Sequence, residues 1–333
     1  ALELALILLL CWIMWNLSSN RRSKSQESQR SMSPSELTNV RSSDSNESPK
    51  SINTAVKDIY DVLQNPTKYD WSAAEEFGKE LGHHLTKRAQ DTSNRSELRM
   101  SNFGTPCNRK LWYTVNTPDK AEPLEPWVRL KFLYGDLVEA LTLYLLKVSG
   151  HKVEGEQSEL VIDGVKGHRD AIIDGVLVDV KSANSRGMQK FKSHSLDSYD
   201  PFGYLDQLSL YLEASQDDPA LKVKRQAAFL AVDKELGHIV LDVYDKKDVD
   251  YRAEIAAKKR LLAEKAPPRK PYSPIPEGKS GNLALPTECS YCQFKRECWK
   301  ESNGGKGLRT FFYASGPKWL THVAKQPDVR ELV

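Results

Sequence analysis

The chain has no long hydrophobic run, no marked excess of either charge and few cysteines, and each shortage excludes something. Its densest apolar stretch, Leu2 to Trp15 broken only by Glu3, falls short of the roughly 20 residues a membrane-spanning helix needs. No basic stretch precedes it and no small-residue cleavage site follows, so it is a poor secretory signal. Arg21 and Arg22 behind it would suit a cytoplasm-facing flank. Residues 1–17 are read first as a buried helix, an interaction segment or a gene-boundary artefact, and only secondarily as a membrane contact. A net charge of +3 permits a nucleic-acid partner without arguing for one. There is no Gly-x4-Gly-Lys-Ser/Thr loop, which excludes an attached ATP-driven motor. Five cysteines, an odd number with three near the C-terminus, do not make a disulfide framework. They fit a metal or cluster site in a reducing compartment, cytoplasmic or within a host cell.

What is present begins with a linker. Residues 18–50 hold 12 serines and almost nothing to bury, which predicts disorder. A single folded domain is expected over 51–333. Helical apolar spacing covers Ala55 to Leu63, Ser72 to Arg88, Trp127 to Lys147, Tyr199 to Glu213 and Tyr251 to Lys265. Strand-like stretches lie near 151–162, 168–173 and 176–181, and again at Lys224 to Val232 and His238 to Val243. Helix, hairpin-like strands, helix and strand in that order predict an α/β fold, a central mixed sheet flanked by helices. Pro267 to Pro286 reads as irregular chain leading to a cysteine-bearing region at 286–300. His83 and His84 are adjacent on a helix and point about 100° apart, which disfavours joint metal binding and suits a surface or DNA-facing role.

The most informative stretch runs from Val165 to Ser182. Asp174-Gly175 predicts a tight hairpin turn after Asp170-Ala-Ile-Ile, and the returning strand carries Asp179 and Lys181 on one face with Val178 and Val180 on the other. The turn can bring Asp170 alongside Asp179. An exposed hairpin with solvated charges would read similarly. Two converging carboxylates, however, repel each other unless a cation such as Mg²⁺ or Mn²⁺ joins them. Such an ion activates water and neutralises phosphoryl charge, and Lys181 could support that chemistry. Glu139 follows Gly135 by one helical turn and could complete the metal shell, the glycine admitting a close backbone or DNA. Gln207 and Tyr211 share a helical face and could hold phosphate or steady the lysine, although plain packing is the commoner role of such a tyrosine.

Cys289, Cys292 and Cys298 form Cys-x2-Cys-x5-Cys, with Cys107 as a distant fourth in Thr105-Pro-Cys-Asn-Arg-Lys-Leu-Trp-Tyr113. There Thr105 can cap a helix whose first turn takes Pro106. Four thiolates suit zinc or an iron–sulfur cluster, with zinc the default on residue types alone. Cys11 stands outside the folded region.

Gly135-Asp-Leu-Val-Glu139, Gly167-His-Arg-Asp170, Val178-Asp-Val-Lys181, Gln207-Leu-Ser-Leu-Tyr211 and the four cysteines, taken in this order, resemble the RecB-like branch of the PD-(D/E)XK nucleases. The match is nearer its iron–sulfur subgroup, which includes CRISPR-associated exonucleases and the nuclease domain of AddB-type recombination proteins. It spans Thr105 to Trp299. The resemblance implies a restriction-endonuclease-like core with a C-terminal iron–sulfur staple, and a DNA exonuclease working on single-stranded ends in repair, recombination, viral or CRISPR processing. It implies metal binding by Asp170 and Asp179, a catalytic Lys181, a third motif at Gln207 and Tyr211, and a [4Fe-4S] cluster on Cys107, Cys289, Cys292 and Cys298. Any motor or recombination partner would be a separate chain. Two departures stand out: Glu139 replaces the usual His of the first motif, and Asp179 replaces the commoner Glu. The rival reading is a non-catalytic nucleic-acid-binding module stapled by an iron–sulfur or zinc site.

Overall fold

The computed structural model describes residues 50–65, 69–90 and 96–332, which fall in one compact unit running from Pro49 to Val333. The apolar segment 1–17, Cys11 and the linker 18–50 except Lys50 lie outside the described residues. Among the described residues no helix is long and apolar enough to cross a membrane.

Four longer helices stand at the start of the unit: α1 (Ala55–Gln64), α2 (Trp71–Gln90), α3 (Asn108–Asn116) and α4 (Pro126–Val148). Five strands follow: β1 (Val153–Glu154), β2 (Glu159–Ile162), β3 (Val165–His168), β4 (Ala171–Ile173) and β5 (Val176–Ala183). Helices α5 (Ser185–Lys192) and α6 (Tyr204–Ala214) lead to β6 (Gln226–Asp233) and β7 (Ile239–Asp245), and α7 (Tyr251–Leu262) closes this part. The main sheet has the order β1-β4-β5-β6-β7. Only β5 and β6 run parallel, Leu177 opposite Ala227 through Ala183 opposite Asp233. A parallel pair needs a crossover connection, and α5 with α6 supplies it. The expected mixed sheet flanked by helices is therefore present.

The hairpin chemistry is written twice. Ile162-Asp163-Gly164-Val165 joins β2 to β3 and Ile173-Asp174-Gly175-Val176 joins β4 to β5, each with two loop residues. All four loop residues have positive φ: 46° and 75° in the first turn, 49° and 85° in the second. Asp-Gly tolerates that left-handed geometry, which matches the twist of the strands it joins. The single strand expected near 151–162 is instead β1 and β2, interrupted where Gly155 and Gln157 take positive φ.

Alternation then sorts the sheet. Ala171, Ile173, Val178, Val180, Ala228 and Leu230 pack with α1 and the second half of α4. Ile172, Leu177, Ala227, Phe229 and Ala231 pack with α5, α6 and α7 on the other face. β5 is covered on both faces, so Asp179 is 3% exposed rather than a solvated hairpin charge. α6 begins at Tyr204, later than its periodicity predicts. Pro201 precedes it, and Gly203 stands at its N-terminus in the left-handed region (φ 72°). α3 begins after Cys107, whose Sγ accepts the Lys110 N–H at 3.3 Å, so Thr105 and Pro106 lie outside the helix.

His151 ties the two ends of this half together. Its Nδ1 lies 2.6 Å from Asp174 Oδ2 and its Nε2 lies 3.1 Å from Asp58 Oδ2 on α1. Asp58 also takes a hydrogen bond from Thr54 Oγ1 at 2.7 Å and pairs with Lys50 at 3.1 Å.

A second sheet, absent from the sequence reading, is built from β8 (Ile275–Pro276), β9 (Leu283–Ala284), β10 (Arg309–Tyr313), β11 (Gly316–His322) and β12 (Glu331–Leu332) in the order β12-β10-β11-β9-β8. The Pro- and Gly-rich segment expected to be irregular thus contributes β8 and β9. Buried Asn282 organises it. Its Nδ2 donates to Glu277 Oε2 and to the Lys325 carbonyl, both at 2.9 Å, while its Oδ1 accepts the N–H groups of Ala324 and Lys325.

Candidate active site and cysteine centre

Three elements bring their acids within electrostatic reach of one another. Because Ala171 lies opposite Val178, Asp170 just before β4 stands beside Asp179 on β5, and Asp170 Oδ2 accepts the Val180 N–H at 2.7 Å. Lys181 is paired with Asp179 Oδ2 at 2.5 Å. Glu139 enters from α4, where Leu143 to Leu146 anchor the helix on the sheet and leave its first half exposed. Gln157, a non-glycine residue at φ 50°, links the parts: its side chain donates to Glu139 Oε1 at 2.5 Å and its N–H to the Asp170 carbonyl at 3.2 Å. A Cβ on Gly135 would meet nothing within 4 Å, so among the described residues no backbone uses the approach expected there.

The electrostatics follow from this crowding. Burial first, then the Asp179 charge, push the Glu139 carboxyl up to about 7 against the pull of the Gln157 hydrogen bond. Asp170 is held well above the carboxylate range by burial and by the charges of Asp179 and Glu139. Burial works against the Lys181 ammonium, yet Asp179 and Asp170 outweigh it and its pKa rises above the ordinary lysine value. Carboxyls in this condition bind a cation in preference to standing charged alone.

On α6, Gln207 Nε2 donates to Tyr211 Oη at 3.0 Å, so the expected shared face holds. Burial raises the Tyr211 phenol to about 12. The residue that the sequence reading passed over is Tyr204, one turn before Gln207. Its ring lies under the Lys181 ammonium at 4.9 Å from the centroid, with Phe229 at 5.9 Å. No periodicity along the chain reveals which strand residue a helix start will touch. Arg169, also passed over, is 3% exposed and holds Gly155 O at 3.2 Å and Ser215 Oγ at 3.3 Å, with its other nitrogen on Asp218 at 2.5 Å.

An open cleft of about 660 Å³ lies between α2 and α4 and reaches Glu139 and Gln157. His83 and His84 both line it, in keeping with a surface role. Its carboxylates are Asp70, Glu76, Glu80, Asp136, Glu139 and Glu156, against one lysine, Lys147. This makes the cleft a poor approach for a polyanion.

The four cysteines of the folded part line a single small pocket with Lys110, Tyr113 and Trp299. Arg109 Nε donates to Cys298 Sγ at 3.2 Å. Burial, then the neighbouring thiols, push Cys289 up to about 12 against the Trp299 indole, and burial also raises Cys292 and Cys298. Residues 107 and 289–298, remote in sequence, are thus neighbours in space. Among the described residues, no three His, Cys, Asp or Glu side chains are drawn together as a ready-made metal-holding group, at this pocket or at the acidic cluster.

No protein-family model matches the sequence, and neither does any curated protein. Among solved structures, one described as the crystal structure of SSO0001 aligns with a TM-score of 0.36 at 15% identity, covering 64% of this chain and 91% of that one.

Proposed function

We propose that this chain is a divalent-metal-dependent nuclease that hydrolyses phosphodiester bonds of DNA, working at single-stranded ends. On this reading the main sheet with α4 and α6 is a restriction-endonuclease-like core. The observation that carries it is the electrostatic convergence of Glu139, Asp170, Asp179 and Lys181 from α4, β4 and β5. The mutual repulsion of the three acids fits a hard cation taken by oxygen ligands, Mg²⁺ or Mn²⁺. When bound, that ion neutralises phosphoryl charge and lowers the pKa of a coordinated water.

The chain's own residues do the rest. Water oxygen bonds to phosphorus as the bond to one ester oxygen breaks, and the leaving oxygen gains a proton, giving a hydroxyl and a phosphomonoester. Lys181, with its pKa raised, stays charged at neutral pH. It therefore stabilises the developing phosphoryl charge as a fixed cation rather than carrying a proton. Tyr204 and Phe229 hold the ammonium in place. Tyr211, still a phenol at neutral pH, accepts from Gln207 and keeps its own O–H for a phosphate oxygen.

Cys107, Cys289, Cys292 and Cys298 would hold a [4Fe-4S] cluster that fastens the C-terminal sheet to α3. Thiols whose ionisation is suppressed by burial and then by one another fit a site whose charge a metal group compensates. Cleavage of 5′- and 3′-labelled single- and double-stranded DNA, by anaerobically purified protein with Mg²⁺ or Mn²⁺, tests the reading. Activity that disappears in Lys181→Ala supports it. No cleavage of any substrate by cluster-replete protein would move the assignment to a non-catalytic nucleic-acid-binding module.

A further inference from the structure

Lys181 is the inner end of a row of rings and ammonium groups that runs out to solvent. Its ammonium lies over Tyr204, and Tyr204 stacks on Phe202 with centroids 5.4 Å apart and planes inclined by 26°. Phe202 and Tyr199 share a second ammonium, that of Lys190, at 5.1 and 5.2 Å from the ring centroids. The inner ring is largely enclosed, but Tyr199 and Phe202 are 60% and 63% exposed. Aromatic rings of that size are normally covered unless something external covers them.

The segment that presents them is held firmly. A Cβ on Gly203 would lie 1.8 Å from the Gly104 carbonyl oxygen, and one on Gly104 would lie 2.1 Å from that of Gly203. The two backbones therefore touch where no side chain fits. Asp200, between the two rings in sequence, turns its Oδ2 inward to accept the Leu205 N–H at 2.8 Å. The rings are thus preorganised and flanked by cations, the opposite character from the acidic cleft on the α2–α4 side.

We infer that Tyr199 and Phe202, with Lys190 between them, form a stacking step for unpaired nucleobases that leads a single strand to Lys181. The inference rests on the proposed polynucleotide substrate and specifies how the strand approaches. Flat exposed rings take any base face without reading its edge, and the ammonium beside them pairs with the backbone phosphate. Paired bases keep their faces within the duplex and cannot use such a step, so the step selects single-stranded substrate. Removing one ring from a site of this kind weakens binding by about 5- to 100-fold.

The test measures binding of a fluorescent oligo(dT), of an abasic strand of equal length and of a duplex, with Ca²⁺ as the only divalent ion. Wild-type protein is expected to bind oligo(dT) more tightly than the abasic strand. Tyr199→Ala and Phe202→Ala should lose most of that preference, Phe202→Trp should retain it, and duplex binding should barely change. Both side chains are mostly exposed, so folding is expected to survive, and circular dichroism checks it. If the alanine variants discriminate base from abasic strand as wild type does, the stacking step is wrong even where the protein cuts DNA. If wild-type protein never cuts DNA but shows the ring-dependent preference, the step stands and the nuclease reading falls instead.

Discussion

Lys181 pairs with Asp179, two residues behind it on the same strand, at 2.5 Å, and the pair is covered by Tyr204 from the facing helix. A strand places residues two apart on one side of the sheet, so the pair is local in sequence. Its burial is not local, because it depends on α6 lying over β5.

Replacing Lys181 by Ala is expected to lower the cleavage rate by about 10²–10³, the effect of losing one preorganised stabiliser of developing charge. Binding of DNA should change far less. Single-turnover kinetics with a parallel binding titration separates the two. A proportional loss of binding and rate would assign Lys181 to ground-state binding only.

The acidic cluster makes metal-free stability depend on pH. Glu139 has a folded value of about 7 against an ordinary 4.5, so the folded state holds the proton more tightly than the unfolded one. That contribution is full below about 4.5 and is lost as pH rises through about 7. In chelator, the melting temperature of the wild type should therefore fall across this window relative to Glu139→Gln. Mn²⁺ should narrow the gap by supplying the missing positive charge. A wild-type melting temperature that rises across the window relative to the variant would refute the placement of Glu139.

The thiol pocket should be chemically quiet without metal and should release protons on loading. With Cys289 pushed up to about 12, its metal-free thiol should alkylate more slowly at pH 8 than a free cysteine. Mass spectrometry of iodoacetamide adducts measures this. Loading with iron and sulfide should give visible absorbance that Cys292→Ala abolishes. Zinc uptake without any iron chromophore would replace the cluster assignment by a zinc staple.

His151 is a structural prediction independent of function. Its side chain has no exposed surface and separates two carboxylates, so His151→Ala leaves Asp58 and Asp174 facing each other. The loss of a buried hydrogen-bond partner of this kind costs about 1–3 kcal/mol. Urea denaturation of the metal-free variant checks it, and a loss below about 1 kcal/mol would show that solvent reaches the gap.

Local rules carried much of this protein. Asp174-Gly175 with its flanking apolar residues was enough to predict the β4–β5 turn, because the turn's φ values are set by two residues. The 2-residue period assigned Asp179 and Lys181 to one side, and the 3.6-residue period aligned Gln207 with Tyr211. The Cys-x2-Cys-x5-Cys spacing singled out three cysteines that line one pocket, without naming an occupant. Other features were silent for a physical reason. β8 and β9 are two residues each and become strands only by pairing with β11 and with each other, while Asn282 ties their loop to residues 324 and 325. Gln157, Tyr204 and Phe202 owe their roles to residues on other elements, which no window of sequence contains.

By itself, then, the sequence determined which residues are acidic, where the tight turns fall and which side of each element is apolar, since these depend on neighbours along the chain. Only the tertiary structure decided that Glu139 comes within electrostatic reach of Asp170 and Asp179, that Cys107 lines one pocket with the C-terminal cysteines and that aromatic rings lead outward from Lys181. Burial and electrostatic coupling are properties of space, and they arise only once packing has excluded water from between distant segments.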